Sequence, residues 1–238
     1  MSAAEGAQRE RGPDGRERGP EERARASGAR GRIAGLYAIT REQADTSSLA
    51  REVEAAIAGG ARVVQYRSKS ADAALRRAQA EALAAVCRRA RVPLIVNDDL
   101  ELALAAGADG VHLGRGDGDI AAARARLGPH GLLGASCYER MDLAERAVAA
   151  GADHVAFGSV FPSPTKPGAA RAPLALFAEA RVRLPVPLVA IGGITPENAA
   201  AVIEAGADAL AVIAAVFESP DITAAAARFR DLFERRKR

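Results

Sequence analysis

The chain of 238 residues carries 49% hydrophobic and 26% charged side chains with a formal net charge of +3, an ordinary globular composition with apolar material for one sizeable core. No run approaches the roughly 20 apolar residues of a bilayer span, and the N-terminus has no apolar segment of a secretory signal, so a cytoplasmic protein without membrane partners is expected. Two cysteines, Cys87 and Cys137, exclude a disulfide framework and any CxxC spacing, and 4% aromatics with no tryptophan leave few platforms for stacking single-stranded nucleic acid.

Residues 1–32 hold eight arginines against six acids, and no branched aliphatic residue precedes Ile33 at the boundary. They cannot bury enough apolar area to offset ordering entropy, which predicts a disordered tail followed by one domain over 33–238. A basic arm touching nucleic acid is the alternative, but the acids are interleaved. The remaining residues carry 25 basic and 24 acidic groups, so the body offers no electrostatic case for nucleic acid.

From Ile33 onward one phrase recurs: Ala58-Gly-Gly-Ala-Arg-Val-Val, Ala106-Gly-Ala-Asp-Gly-Val-His, Ala150-Gly-Ala-Asp-His-Val-Ala and Ala205-Gly-Ala-Asp-Ala-Leu-Ala. In each, a glycine ends a helix and an apolar strand begins. Four apolar runs alternate with these, Leu36–Ile39, Pro93–Val96, Leu132–Ala135 and Pro187–Ile191. Between the strands lie helical patterns. Ser70 can cap one with apolar positions Leu75, Ala78, Ala82, Leu83 and Val86, and Thr195 with Pro196 can open another that closes at Gly206. At the end, Ile222, Phe229, Leu232 and Phe233 form an apolar helix face, followed by Arg235, Arg236, Lys237 and Arg238, cations suited to a helix C-terminus. Four units of two strands predict a (β/α)8 TIM barrel. An open doubly wound sheet is the rival, but it does not require a regular repeat.

In a barrel the chemistry lies where strands end, and those positions read Thr40, Gln65 to Lys69, Asn97-Asp98, Gly114 to Asp117, Ser136, Ser163 to Lys166, Gly192-Gly193 and Ile213-Ala214. Gln65, Arg67 and Lys69 alternate, so all three can point inward, and two cations with an amide suit a polyphosphate. Asp98 and Asp117 end successive strands. Each alone could be a helix N-cap, whereas together beside a basic cluster they favour Mg²⁺ held between carboxylates and phosphate oxygens. Ile191-Gly-Gly-Ile194 and Ile213-Ala214 suit a monophosphate bound by backbone amides, with a tight turn as the plain structural reading of the glycines. Two such sites imply two phosphorylated small-molecule substrates.

Other schemes fail on spacing. Gly134-Ala-Ser136-Cys-Tyr138 lacks the last glycine of a nucleophile elbow, and no dinucleotide fingerprint or Walker loop is present. Cys137 and Cys87 read as small packed residues. His112, His130 and His154 form no ligand pair by spacing, and the first and last lie inside strands, where a satisfied structural role is expected.

These residues resemble the thiamine-phosphate synthase family. The motifs are Gln65-Tyr-Arg-Ser-Lys69, Val96-Asn-Asp98, Gly110-Val-His-Leu-Gly114 with Asp117, Gly134-Ala-Ser136, Phe157 to Lys166 and Ala190-Ile-Gly-Gly-Ile194, in family order from about Leu36 to the last helix. The resemblance implies condensation of 4-amino-2-methyl-5-(diphosphooxymethyl)pyrimidine with a thiazole phosphate, releasing pyrophosphate. By motif, Gln65, Arg67, Lys69, Asn97 and Lys166 would hold the pyrimidine diphosphate, Asp98 and Asp117 the Mg²⁺, and Ser136 the pyrimidine. Lys69, Ser136 and Lys166 would be catalytic. Ser163, Thr165, Gly193, Ile213 and Ala214 would take the thiazole phosphate. Three positions depart from the family: Arg115 replaces a usual glutamine, Ser163 a threonine, and Ala214 a serine. The related thiazole tautomerases carry a histidine where this chain has Tyr138. A catalytically silent phosphate-binding barrel would have no need of both carboxylates and all the cations.

Overall fold

The computed structural model describes residues 28–29, 31–162 and 170–236. Its parallel strands are β1 (Gly35–Ile39), β2 (Ala61–Tyr66), β3 (Leu94–Asn97), β4 (Gly110–Leu113), β5 (Leu132–Tyr138), β6 (His154–Phe157), β7 (Leu188–Ile191) and β8 (Ala209–Val212). They pair in chain order, and β8 closes onto β1, giving the expected barrel. The helices around it are α1 (Thr46–Ala58), α2 (Ala73–Ala90), α3 (Leu100–Ala106), α4 (Ile120–Leu127), α5 (Met141–Ala149), α6 (Leu174–Arg183), α7 (Ala199–Glu204), α8 (Ala214–Phe217) and α9 (Ile222–Arg236). Among the described residues no helix is long and apolar enough to cross a membrane.

Alternation along the strands produces two concentric apolar layers. Tyr37, Ile39, Val63, Ile95, Leu132, Ala156, Val189, Ala209 and Ala211 fill the lumen above Ile33. Residues of the other parity, such as Leu36, Val64, Val96, Leu133, Val155 and Leu210, pack outward against the helices. Both cysteines are buried in this outer layer.

The repeated phrase also does structural work that its glycines alone did not reveal. Asp109, Asp153 and Asp208 each accept an N–H at the start of the preceding strand, from its first residue at Leu94 (3.0 Å) and Leu188 (2.8 Å) and from its second at Leu133 (2.8 Å). Each is also met by an arginine: Arg32 at 2.5 Å, Arg124, and Arg181 at 2.5 Å. The charged hydrogen bonds hold neighbouring strands in register at the end of the barrel away from the mouth.

Three expectations shift. The described residues Gly28, Ala29, Gly31 and Arg32 are helical, with Ala29 buried and its carbonyl accepting from Ile33 N–H at 2.7 Å, so the ordered chain begins before Ile33. Residues 1–27 and 30 of the expected tail lie outside the described residues. Asp72, not Ser70, caps α2, accepting from Ala74 and Leu75 N–H at 2.9 and 3.0 Å. A carboxylate is the better acceptor there, and Ser70 accepts from the N–H of Asp72 instead. Helix α7 starts after Asn198, whose side chain accepts from Thr195 N–H at 2.9 Å, so Thr195 and Pro196 form a turn ahead of the helix.

Candidate active site

Strand parity decides which of the predicted residues face the mouth. Gln65 points into the lumen, 4% exposed, and its amide donates to the Tyr37 hydroxyl at 2.9 Å. Burial holds the Tyr37 phenol well above its ordinary pKa, so it remains a neutral acceptor. Arg67 follows the strand end and is half-buried, with Glu42 at 3.9 Å. Lys69 lies in the loop after β2, beyond strand alternation, and is exposed, its backbone N–H donating to Glu42 at 2.8 Å. Glu42 had no sequence signal, since it is distant along the chain. Thr40 is fully buried and bonds the backbone N–H and carbonyl of Arg67 at 2.9 and 3.2 Å, stapling β1 to β2 without facing the mouth.

The carboxylates are sorted by the loops that carry them. Asp99 caps α3, accepting from Leu102 N–H at 2.9 Å, and Asp119 caps α4, accepting from Ala122 N–H at 2.8 Å. The capping alternative for Asp98 and Asp117 therefore falls to their neighbours. Asp98 adopts a left-handed conformation, φ +65°, uncommon for a residue with a side chain. Its carboxyl is pushed up to about 6 by withdrawal from water and then by the hydrogen bond and charge of Asp117, against the smaller opposing pull of Asn97 and Arg67. Asp117 also accepts from Gly114 N–H at 2.9 Å. Lys69, Arg76, Asn97, Asp98, Asp117 and Arg126 line one groove of about 700 Å³. Arg76 was not anticipated there. It reaches the groove from α2 and donates to Asp99 at 3.2 Å.

Across the mouth, Gly192 and Gly193 have φ of +105° and +63°. A Cβ on either would strike Ser159 Oγ at 2.2 Å or Pro162 O at 2.3 Å, so only glycine permits this close approach. Ile213 and Ala214, both half-buried, open the one-turn α8. Ser163, Thr165 and Lys166 lie outside the described residues.

Ser136, near the end of β5, has a partner that spacing did not reveal. Its hydroxyl lies 2.9 Å from His112 Nε2. His112 and His154, separate along the sequence, meet inside the barrel. Parity could have found this, because His112 alternates with Gly110 and Gly114 on the inward side. Tyr138 accepts from Arg115 N–H at 3.3 Å, and the Arg115 guanidinium lies over its ring, 5.4 Å from the centroid. Burial pushes the Cys137 thiol up to about 12, which leaves it unionised and packed, as expected.

A family model described as thiamine monophosphate synthase matches residues 36–216. The chain belongs to the thiamine monophosphate synthase family. Among relatives, the thiamine-phosphate synthase of Thiobacillus denitrificans (strain ATCC 25259 / T1) is 62% identical over 199 residues, covering 84% of this chain and 94% of the relative. That of Aromatoleum aromaticum (strain DSM 19018 / LMG 30748 / EbN1) is 59% identical over 202 residues, covering 85% and 97%. Among solved structures, thiamine phosphate pyrophosphorylase from Pyrococcus furiosus superposes with a TM-score of 0.77 at 33% identity, covering 87% of this chain and 98% of that one. The family match spans every strand of the barrel and both sides of its mouth.

Proposed function

We propose that this chain joins 4-amino-2-methyl-5-(diphosphooxymethyl)pyrimidine to the phosphate of 4-methyl-5-(2-hydroxyethyl)thiazole, or to its carboxylated form, yielding thiamine phosphate and pyrophosphate in thiamine biosynthesis. Family membership supports the reaction, and the observation that carries its chemistry is the carboxylate pair Asp98 and Asp117, free of helix capping and set among cations.

The donor set fits a hard divalent cation. Withdrawal from water, and after it the hydrogen bond and charge of Asp117, raise the Asp98 carboxyl, and a cation between the two carboxylates would relieve the like-charge part of that cost. Asp98 and Asp117 would hold Mg²⁺, with the diphosphate completing its oxygen ligands. Bound there, Mg²⁺ supplies positive charge next to the departing diphosphate.

Arg67, Lys69 and Lys166 would neutralise the same group, and Asn97 would donate to it. The bond from the pyrimidinylmethyl carbon to the diphosphate oxygen breaks with its electron pair leaving on oxygen, and the aminopyrimidine delocalises the resulting cation. The thiazole nitrogen then supplies its own lone pair to form the new carbon–nitrogen bond. No general base and no covalent nucleophile are required, so the work is orientation and preorganised charge. Gln65 would read the pyrimidine through the amide edge that Tyr37 fixes from below. Gly193 and the backbone of Ile213 and Ala214, with Ser163 and Thr165, would hold the thiazole phosphate.

Incubating the purified protein with both substrates and Mg²⁺, followed by chromatography, tests this reading. Thiamine phosphate should accumulate with equimolar pyrophosphate. Isomerised thiazole without consumption of the pyrimidine diphosphate would point to a tautomerase, and binding without turnover to a silent barrel.

A further inference from the structure

Beneath Ser136 runs a polar chain that the reaction above does not use. Strand register sets Gly134 of β5 between His112 of β4 and His154 of β6. A Cβ on Gly134 would lie 2.3 Å from His112 Nδ1 and 2.3 Å from His154 Nε2, so the missing side chain is what lets the two rings meet. Their centroids are 5.5 Å apart, and Nδ1 of His112 lies 3.5 Å from Nε2 of His154. On its other edge, His112 Nε2 is 2.9 Å from Ser136 Oγ. The chain His154, His112, Ser136 thus leads from the closed lumen to the mouth. His154 Nδ1, at its inner end, is buried with no hydrogen-bond partner among the described residues.

That orphaned nitrogen sets the direction of the whole chain. Burial holds His112 down to about 4 and His154 well below its ordinary value, so both rings are neutral, each with one N–H and one bare nitrogen. A proton on His154 Nδ1 would be a buried donor with no acceptor, the rarer and costlier orphan. The proton therefore belongs on Nε2, where it is given to His112 Nδ1. His112 then carries its own proton on Nε2 and donates to Ser136 Oγ. The Ser136 proton is not consumed by His112 and is left to serve the mouth.

We propose that His154 and His112 are positioning residues that preset Ser136 as a hydrogen-bond donor toward an unprotonated ring nitrogen of the aminopyrimidine. This rests on the reading of Ser136 as a pyrimidine contact, and the test separates the two. In the full chain carrying ¹⁵N-labelled histidine, long-range ¹H–¹⁵N correlation without any substrate should show His112 and His154 both protonated on Nε2. A proton on His112 Nδ1 would overturn the proposal.

Calorimetry with the pyrimidine diphosphate and, separately, the thiazole phosphate then reads the consequence. His112→Leu should weaken pyrimidine-diphosphate binding by about fivefold, the worth of one hydrogen bond, and leave thiazole-phosphate binding unchanged. His112→Gln, whose amide can donate from the Nε2 position, should recover most of the loss. Ser136→Ala should add little on the His112→Leu background, because both changes remove the same interaction. Equal weakening toward both ligands, or additive losses, would mean a merely structural pair. Should His112→Leu fail to fold, the spectrum of the unaltered chain still decides. Absence of thiamine phosphate formation with the tautomers as stated and the binding differences intact would refute the reaction and leave the proposal standing.

Discussion

Asp98→Asn separates the electrostatic cost of the paired carboxylates from their service to the reaction. Asp98 sits at φ +65°, where asparagine is among the best tolerated residues, so the amide enters without new backbone strain. In the unaltered chain its carboxyl is raised from 3.8 to about 6. Between those pH values the folded chain binds more protons at this group than the unfolded chain does. Stability therefore falls as pH rises through that window, and the whole cost is present above it. Asparagine has no charge to set against Asp117, so the cost disappears.

The magnitude follows from Coulomb's law. Two unit charges about 4 Å apart repel by about 1 kcal/mol in bulk water and about 4 kcal/mol at an effective dielectric near 20. Asp98 as a residue stays open to solvent although its carboxyl is partly withdrawn from water, so solvent screening puts the gain near the lower figure. A gain of about 1 kcal/mol raises the Tm of a domain this size by about 2–4 °C. Scanning calorimetry in chelator should show that rise at about pH 8, its shrinkage in high salt, and its near disappearance at about pH 4. In the same variant kcat should fall at least about 100-fold, the equivalent of about 3 kcal/mol of lost charge stabilisation. A Tm unchanged or lowered at about pH 8, or full turnover, would refute the account of this pair.

Removing divalent metal with excess chelator should abolish thiamine phosphate formation while leaving thiazole-phosphate affinity, measured by calorimetry, nearly intact. Ala214→Ser should lower the KM for the thiazole phosphate by about two- to tenfold, the worth of one added hydrogen bond, and leave the KM for the pyrimidine diphosphate alone. Asp153→Ala should leave the Leu133 N–H without its acceptor and the Arg124 charge without its carboxylate, although that guanidinium keeps the carbonyls of Gly128, Gly131 and Gly151. The cost is about 3 kcal/mol, the lower end for a broken buried pair, and thermal melting should show a fall of about 6–12 °C.

Much of this molecule could be read from the residues because its fold is written in a repeat. Four glycine-terminated helices followed by apolar strands require neighbours on both sides, and only a closed parallel ring satisfies that regularly. The rim residues were legible for the same reason, since strand ends fall at fixed places in each unit. The family was legible from Gln65 to Lys69, Asn97-Asp98 and Gly192-Gly193 standing in order. Tertiary structure decided which residues of each cluster do which task. Adjacent aspartates look alike in sequence, yet Asp99 and Asp119 reach helix amides while Asp98 and Asp117 turn to each other, because only φ, ψ and the loop path separate a cap from a ligand. Likewise Gln65 shares its spacing with Arg67 and Lys69 but is drawn down to Tyr37 from across the strand pair. His112 and His154 are 42 positions apart, and no periodicity announces that a glycine between their strands lets the rings meet. Spacing fixes direction along one strand, whereas contact between strands depends on barrel closure and on the volume left where a side chain is absent.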